Sequence, residues 1–198
     1  MKLIVGLGNP GRIYVTSRHN IGFRAVRVLG KDFRAIFRRD AATRSLKAEA
    51  RFAGQKIILA LPLTFMNLSG QAVKALLEKY QLALADLLVI CDDLDLELGR
   101  LRIRPSGSSG GHRGLQSVID SLESQNFSRL RLGIGRAEKN NCSAKDYVLS
   151  PFSRGEISAL KKMVVEATSC SRVWARQGIS SSMNLFNSTQ KKRLARGE

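Results

Sequence analysis

Three apolar segments of the sequence are each followed by a polar side chain that could take part in hydrolysis. Asn9 follows "KLIV", Asn67 follows "IILALP" and Asp92 follows "LLVIC". In open α/β sheets, binding and active sites form beyond the carboxyl ends of parallel strands. If the three segments are parallel strands, we expect two side-chain amides and one carboxylate to meet at one edge of a sheet.

The chain has two histidines, and either could act as a base toward a water molecule. His19 and His112 lie in the loop-like segments "TSRHN" and "SSGGHRG". A neutral imidazole accepts a proton at physiological pH, and a carboxylate on its other ring nitrogen fixes the tautomer. Side-chain amides can hold a carbonyl oxygen as negative charge builds on it. Each residue alone is more often structural, but their convergence predicts a site that activates water.

The cysteines and histidines argue against a covalent nucleophile and against a metal site. Cys91 lies within an apolar strand, where a buried thiol is inert. Cys91, Cys142 and Cys170 are odd in number, far apart and never in a C-x-x-C pair, which favours reduced thiols. With only two histidines in the chain, we expect no metal ion.

The segment "GLGNPG" (6–11) matches G-x-G-x-x-G, the pattern of a dinucleotide-binding turn. Such a turn should open a helix, and an acidic residue should end the next strand about twenty residues later. Here Pro10 stiffens the turn, no helical pattern follows, and Asp32 lies in a basic, helix-like segment. Dinucleotide binding therefore remains an alternative interpretation that the surrounding sequence disfavours.

Strand-like and helix-like segments alternate along the first two-thirds of the chain. Strands are predicted at 2–5, 87–91 and 129–135, with a hairpin formed by the segments on either side of Gly54. Helices are predicted at 21–33, at 69–80 with Ser69 as the N-cap, and at 114–123. This alternation is typical of a single α/β domain with a mainly parallel or mixed sheet flanked by helices.

The last third of the sequence is predicted to be helical. Ser153 and Glu156 form the S-x-x-E capping box of a helix start. Apolar residues then recur at helical spacing and are expected to pack in the core: Ile157, Leu160, Met163, Val164, Ala167, Cys170 and Trp174. We assign residues 1–190 to the domain and residues 191–198 to a basic, solvated C-terminal tail.

A run of acidic residues follows the strand predicted at 87–91. Under strand alternation, Asp93, Asp95 and Glu97 share one face, with leucines opposite. We expect these three acids to form a solvated edge, which leaves Asp92 pointing elsewhere.

The chain is strongly basic, with 33 Lys and Arg against 16 Asp and Glu and a net charge of +17. A field of this sign attracts polyanions, of which nucleic acid is the commonest. No apolar run is long enough to span a bilayer, and Pro10 and Gly11 interrupt the first apolar run too early for a signal peptide. We therefore expect a cytoplasmic protein with no membrane partner.

Five sequence blocks occur in an order and at a spacing that resemble those of the bacterial-type peptidyl-tRNA hydrolases. The blocks are "GLGNPG", "Y-x-x-S-R-H-N-x-G" (14–22), "FMNLSG" (65–70), "DDLDLELG" (92–99) and "SGGHRGL" (109–115). The similarity runs from residue 3 to about residue 187. Five blocks together are far more specific than any one of them.

This resemblance implies a monomeric α/β enzyme with a twisted mixed sheet, working without a cofactor or a metal ion. Its reaction would be hydrolysis of the ester that joins a peptide to the 3′-ribose of tRNA. Peptidyl-tRNA would then be the substrate and the main partner. By the same resemblance, His19 is the general base and Asp92 is its orienting carboxylate.

The resemblance also assigns the binding residues. Asn9 and Asn67 would hold the peptide and water, Met66 and Tyr14 would line the pocket, and Asn20 and His112 would border the tRNA-facing side. The positions that present basic residues to the 5′-phosphate of tRNA are occupied by Arg104 and Arg131. Further diffuse contacts with tRNA are expected from Arg102, Arg129 and the basic segment 24–39.

The sequence departs from the family pattern at two positions. The family usually has "HNG" where this chain has His112-Arg113-Gly114, and a threonine where this chain has Ser17. Ser17 keeps the hydroxyl, whereas Arg113 replaces a neutral amide with a longer, permanently charged group. We keep Arg113 among the substrate-binding residues. If the usual amide holds substrate or water, the rate should fall; if Arg113 binds a phosphate instead, the affinity could rise.

Two rival functions remain open on the sequence alone. The first is a protein of this fold that binds RNA without catalysis, and the second is a simple tRNA-binding module. Retention of His19, Asp92 and both asparagines argues against the first rival, while Arg113 keeps it open.

Overall fold

A computed structural model describes residues 1–136 and 143–187 of the chain. Within these ranges the protein forms one seven-stranded sheet with helices on both faces. None of the helices there combines the length and the apolar character that a membrane crossing requires. Cys142 and the tail predicted at 191–198 lie outside the described residues.

The described elements follow the predicted alternation closely. The strands are β1 (Lys2–Gly6), β2 (Arg38–Asp40), β3 (Ser45–Phe52), β4 (Gln55–Pro62), β5 (Leu87–Asp93), β6 (Leu101–Arg104) and β7 (Ser128–Gly133). The α-helices are α1 (Ile21–Asp32), α2 (Ser69–Tyr80), α3 (Arg113–Leu122), α4 (Ala144–Leu149) and α5 (Ile157–Ser182). Short 3-10 turns at Arg18–Asn20 and Met66–Leu68 precede α1 and α2.

The sheet is mixed, with strand order β2-β3-β4-β1-β5-β7-β6. Strands β4, β1, β5 and β7 are parallel, whereas β2, β3 and β6 pair antiparallel with their neighbours. The strands before Asn9, Asn67 and Asp92 run in the same direction, which is the condition under which we expect those side chains to meet. The carboxyl ends of β1, β4 and β5 therefore open onto one edge of the sheet.

Alternate residues of the central strands face two separate apolar layers. On one face, Ile4, Leu59 and Ile90 pack against α1 and α5. On the other face, Val5, Ala60 and Val89 pack against α2 and α3. The capping box of Ser153 and Glu156 is present at the start of α5. The stripe predicted on α5 is confirmed, with Leu160, Met163, Val164, Ala167, Cys170 and Trp174 buried and Ile157 partly buried against the core.

Two predictions about single residues were wrong. Ser69 is the first residue of α2 rather than its N-cap, which is Leu68, and the Oγ atom of Ser69 is buried without a hydrogen-bond partner among the described residues. Asp93 is not a solvated edge residue, because β5 continues through it and its side chain is buried. Its Oδ1 accepts the backbone N–H groups of Asp95 and Leu96, which turns the chain at the end of the strand.

The glycines of "GLGNPG" serve packing against α1. A Cβ on Gly6 would lie 2.3 Å from the carbonyl oxygen of Gly22, and one on Gly8 would lie 2.7 Å from the Phe23 ring. The segment leads into a 3-10 turn at Arg12–Tyr14 rather than into the helix that a dinucleotide turn requires. This pattern therefore brings α1, and His19 just before it, close to the end of β1.

Arg18 anchors the 3-10 turn that carries His19. Its guanidinium donates to both carboxylate oxygens of Glu156, at 2.8 Å and 2.7 Å, and it is stacked on the rings of Tyr147 and Phe152. The hydrogen bonds from Arg18, together with those from Ser153, lower the pKa of Glu156 to about 2, although partial burial alone would raise it. The ion pair thus ties the segment before α1 to the start of α5.

Gly22→Ala should lower the free energy of unfolding by about 1–3 kcal/mol, the usual range for overpacking. The added Cβ would lie 2.4 Å from the Ile90 carbonyl oxygen and 2.6 Å from that of Leu7, and both atoms belong to the backbone. Urea denaturation followed by circular dichroism measures the change. Gly155→Ala is the control, because a Cβ there meets nothing within 4 Å. Equal destabilisation by the two substitutions would contradict this account of the packing.

Glu156→Gln should destabilise the protein at neutral pH and have little effect in strong acid. A carboxylate whose pKa is lowered on folding contributes stability above its unfolded pKa, near 4.5, and loses that contribution as the pH falls toward 2. We expect a loss of about 1–2 kcal/mol at pH 7 from removal of this partly buried pair. Denaturation at pH 7, 4 and 2.5 measures the difference between the two proteins. A difference that is independent of pH would show that the charge of Glu156 is not what stabilises the fold.

Candidate active site

A cleft of about 580 Å³ opens at the carboxyl edge of the parallel strands. The loops after β1, β4 and β5 form its floor, and α4 and the start of α3 form its walls. Nine of the residues predicted for the site line the cleft: Asn9, Tyr14, His19, Met66, Asn67, Asp92, His112, Arg113 and Arg131. Asn20 and Arg104 do not line it. The sequence prediction that the strand ends and histidine loops meet is thus confirmed.

Asp92 lies at the centre of the site and pairs with both histidines. Its Oδ1 atom is 2.8 Å from Nδ1 of His19 and 3.0 Å from Nε2 of His112. The side chain of Asp92 is only 2% exposed, whereas those of His19 and His112 are 11% and 9% exposed. A buried carboxylate thus accepts hydrogen bonds from two imidazoles that the cleft can reach.

These contacts fix the tautomer of each ring. Because Nδ1 of His19 donates to Asp92, its Nε2 is left as a proton acceptor. Nε2 of His112 also donates to Asp92, and its Nδ1 accepts the backbone N–H of Leu115 at 3.1 Å. Both nitrogens of His112 are therefore committed to protein partners, and His19 is the histidine that can act as a base.

Burial alone would raise the pKa of Asp92, but its interactions with His112 and His19 hold it below its usual range. The group is therefore a carboxylate at neutral pH. Burial, reinforced by the charge of Asp92, raises the pKa of the neighbouring Cys91 thiol. The prediction of an inert thiol at position 91 agrees with this environment.

The ligand types of His19, Asp92 and His112 also occur at zinc sites, and their ligand atoms lie within 4.8 Å of one another. A metal-binding imidazole normally donates its second N–H to an acceptor. His112 does the opposite, because its Nδ1 accepts an N–H from Leu115. The arrangement fits a hydrogen-bonded acid–base group better than a metal centre.

Asn9 is held in place by the backbone of Met66 and by the side chain of Asn20. Its Oδ1 accepts the N–H of Met66 at 2.8 Å, and its main chain makes a reciprocal pair of hydrogen bonds with the Asn20 side chain, at 2.8 Å and 2.9 Å. This arrangement leaves the NH₂ group of Asn9 as a donor. Asn20 itself is 3% exposed.

Two residues assigned to the tRNA-facing side have protein partners that the sequence patterns did not indicate. Asn20 lies beneath Asn9 and positions it, because its amide matches the main-chain donor and acceptor of that residue. His112 contacts Asp92 through its ring and caps α3 through its Nδ1. Sequence patterns indicated that both belong to the site, but not which atoms they contact.

The arginines of β6 and β7 differ in what they contact. Arg104 is exposed on β6 at the sheet edge, and Arg102 is exposed beside it. Arg131 lines the cleft but also pairs with Asp93. Arg129 is 2% exposed and donates to the carbonyl groups of Gly107, Ser108 and Gln125. The prediction of a diffuse tRNA contact at Arg129 was therefore wrong.

Sequence reasoning missed the structural roles of Arg18 and Arg129. Arg18 anchors the His19 turn, and Arg129 fixes the Gly-rich loop that leads to His112. The signal for Arg18 was its place directly before His19 in "SRHN". Arg129 carried a weaker signal, the alternation of "RLRLG", which places it and Arg131 on one side of β7.

Comparisons of sequence and fold with known proteins identify the family of this chain. Residues 3–194 match the family model described as peptidyl-tRNA hydrolase. A peptidyl-tRNA hydrolase from Desulforudis audaxviator is 50% identical over 95% of this chain and 94% of its own length. One from Aquifex aeolicus is 48% identical over 86% of this chain and 88% of its own length.

The fold also matches that of a solved peptidyl-tRNA hydrolase structure. The crystal structure of peptidyl-tRNA hydrolase from Acinetobacter baumannii has a TM-score of 0.88 and 33% identity, covering 94% of both chains. Sequence and fold agree over nearly the whole length. The chain therefore belongs to the peptidyl-tRNA hydrolase family and is a hydrolase of that family.

Proposed function

We propose that this protein hydrolyses the ester between the peptide and the 3′-ribose of peptidyl-tRNA by means of a water molecule activated by His19. The observation that carries the proposal is the 2.8 Å hydrogen bond from Nδ1 of His19 to Asp92, which leaves Nε2 as the acceptor at the cleft. Family membership supports peptidyl-tRNA as the substrate, and the geometry supports this route.

In the proposed reaction, Nε2 of His19 takes a proton from water as the water oxygen attacks the ester carbonyl carbon. The tetrahedral intermediate then collapses, the bond from carbon to the ribose oxygen breaks, and that oxygen receives the proton from the imidazolium. Asp92 stabilises the imidazolium and holds the ring orientation. General-base assistance of this kind contributes about 10²–10⁴-fold to the rate.

The asparagines supply donors for the substrate. Since Oδ1 of Asn9 is occupied by the Met66 N–H, its NH₂ group is the part that can bind a carbonyl oxygen. Asn67 is exposed on the 3-10 turn before α2 and faces the cleft. Tyr14 and Met66 form the adjoining walls. These side chains carry no charge, so they suit a substrate in which an uncharged amide lies next to the ester.

The tRNA portion of the substrate is expected to meet the basic surface near β6 and β7. Arg104 is exposed there, and Arg131 retains further N–H donors beyond its contact with Asp93. The net charge of +17 favours association with RNA. We expect the protein to act as a monomer in the cytoplasm, where translation produces this substrate, and without a cofactor or metal ion.

Release of N-acetyl-aminoacyl groups from tRNA by the purified protein tests the proposal. We expect turnover of the N-acetylated ester, slow turnover of the same tRNA with a free α-amino group, and at least a hundredfold lower kcat for His19→Ala. The tRNA affinity of His19→Ala should be unchanged, because the ring is directed at water. Binding of tRNA by the wild type without any turnover would instead favour a non-catalytic RNA-binding protein.

Asp92→Asn should lower kcat by at least about a hundredfold while KM changes little, because the amide has no charge to stabilise the imidazolium and its NH₂ group can hold His19 in the wrong tautomer. Steady-state kinetics with the N-acetylated substrate measures this. Glu97→Gln is a suitable control, since Glu97 is an exposed acid beyond the end of the same strand. A kcat for Asp92→Asn within a few-fold of wild type would show that Asp92 does not orient the base.

A further inference from the structure

The arginines that line the cleft differ in their acidic partners. Arg131 pairs with Asp93, and Arg136 pairs with Asp95. Arg113 is exposed and lines the same cleft, yet among the residues 1–136 and 143–187 no carboxylate lies within ion-pair distance of it. Its guanidinium is therefore available for an anion brought by the substrate.

Arg113 lies directly beside the group formed by His19, Asp92 and His112. It is the first residue of α3 and directly follows His112, whose ring contacts Asp92. The next residue, Gly114, is so close to Met66 that an added Cβ would lie 2.3 Å from its sulfur. The backbone at Arg113 is thus fixed between the acid–base group and the pocket wall, while its long side chain can reach along the cleft.

The chemistry of the substrate identifies the anion. If the proposed function holds, the ester carried to His19 is attached to the ribose of the last tRNA nucleotide. The phosphodiester that joins the last two nucleotides lies one ribose away from that ester in every substrate molecule. Carboxylates in the peptide vary from one substrate to the next, so they cannot provide a constant partner. A guanidinium binds phosphate through paired N–H donors.

We propose that Arg113 is a substrate-binding residue that grips the last phosphodiester of tRNA, and thereby places the ester against His19. The positive end of the α3 dipole reinforces the field at this position. The contact is separate from that expected of Arg104 and Arg131, which face the 5′-phosphate. The inference rests on the proposed function, and it adds a contact at the 3′ end of the tRNA, one ribose away from the bond that is cleaved.

Neutralising each partner in turn tests the contact. The full-length protein and Arg113→Gln are each assayed with N-acetyl-aminoacyl-tRNA, in normal form and with an uncharged methylphosphonate at the last linkage. The wild type should lose about tenfold in kcat/KM on the neutral linkage, the scale of one charge-assisted hydrogen bond. Arg113→Gln should lose about tenfold on normal tRNA, mainly through KM, and lose nothing further on the neutral linkage.

Two control variants show where the effect arises. Arg104→Gln should weaken binding but keep the full tenfold sensitivity to the neutral linkage, because that arginine lies at the sheet edge on β6. Arg51→Gln, which changes an exposed arginine on β3 beside the start of β4 and away from the cleft, should behave as wild type.

The outcomes separate this inference from the proposed function. If wild type hydrolyses normal N-acetylated tRNA but Arg113→Gln keeps the sensitivity to the neutral linkage, the phosphate contact is wrong and the proposed function stands. A loss in Arg113→Gln that appears only with acidic residues in the peptide would also overturn the contact. Absence of turnover by wild type would overturn the proposed function, and the inference with it.

Discussion

The active-site geometry depends on one buried carboxylate oxygen that two imidazoles share. A carboxylate as buried as Asp92 is costly unless it is paired and hydrogen-bonded, and Oδ1 meets that need through His19 and His112. The partners come from loops 73 residues earlier and 20 residues later in the chain. Burial of Asp92 therefore selects conformations in which the loops after β1 and before α3 converge.

The rest of the fold limits how those loops can move. On the His19 side, Gly6 and Gly22 allow α1 to approach β1 at backbone contact, and Arg18 links the preceding turn to α5. On the His112 side, Arg129 binds two carbonyl groups of the loop that follows β6. The His19 side is thus held by the close approach of α1 to β1 and by Arg18, and the His112 side is held by Arg129. Neither histidine depends on Asp92 alone for its position. Such support fixes the geometry of the hydrogen bonds between Asp92 and the two imidazoles.

Most of the fold could be predicted because the relevant signals are local. Apolar runs, helical spacing and the capping box of Ser153 and Glu156 each depend on neighbouring residues, and strand direction placed Asn9, Asn67 and Asp92 at one edge. The errors concern contacts made across the chain. Ser69 has the side chain typical of an N-cap, but the preceding 3-10 turn leads directly into α2, so Ser69 is already a helical residue. Strand alternation predicted that Asp93 would be solvated. The strand ends at Asp93, however, and its carboxylate binds the backbone of the following turn and Arg131.

The site was predictable in its members and much less so in their atomic roles. That His112 donates to the same oxygen as His19 follows from the path of the Gly-rich loop, and spacing along the sequence does not specify that path. Asn20 and Asn9 were both amides in a motif, but only their reciprocal hydrogen bonds show that one positions the other. The roles of the arginines likewise depend on contacts that the sequence does not specify. Arg18 and Arg129 are buried and bind protein acceptors, so the net charge of +17 overstates the positive charge at the surface, where the arginines of β6 and Arg113 are exposed.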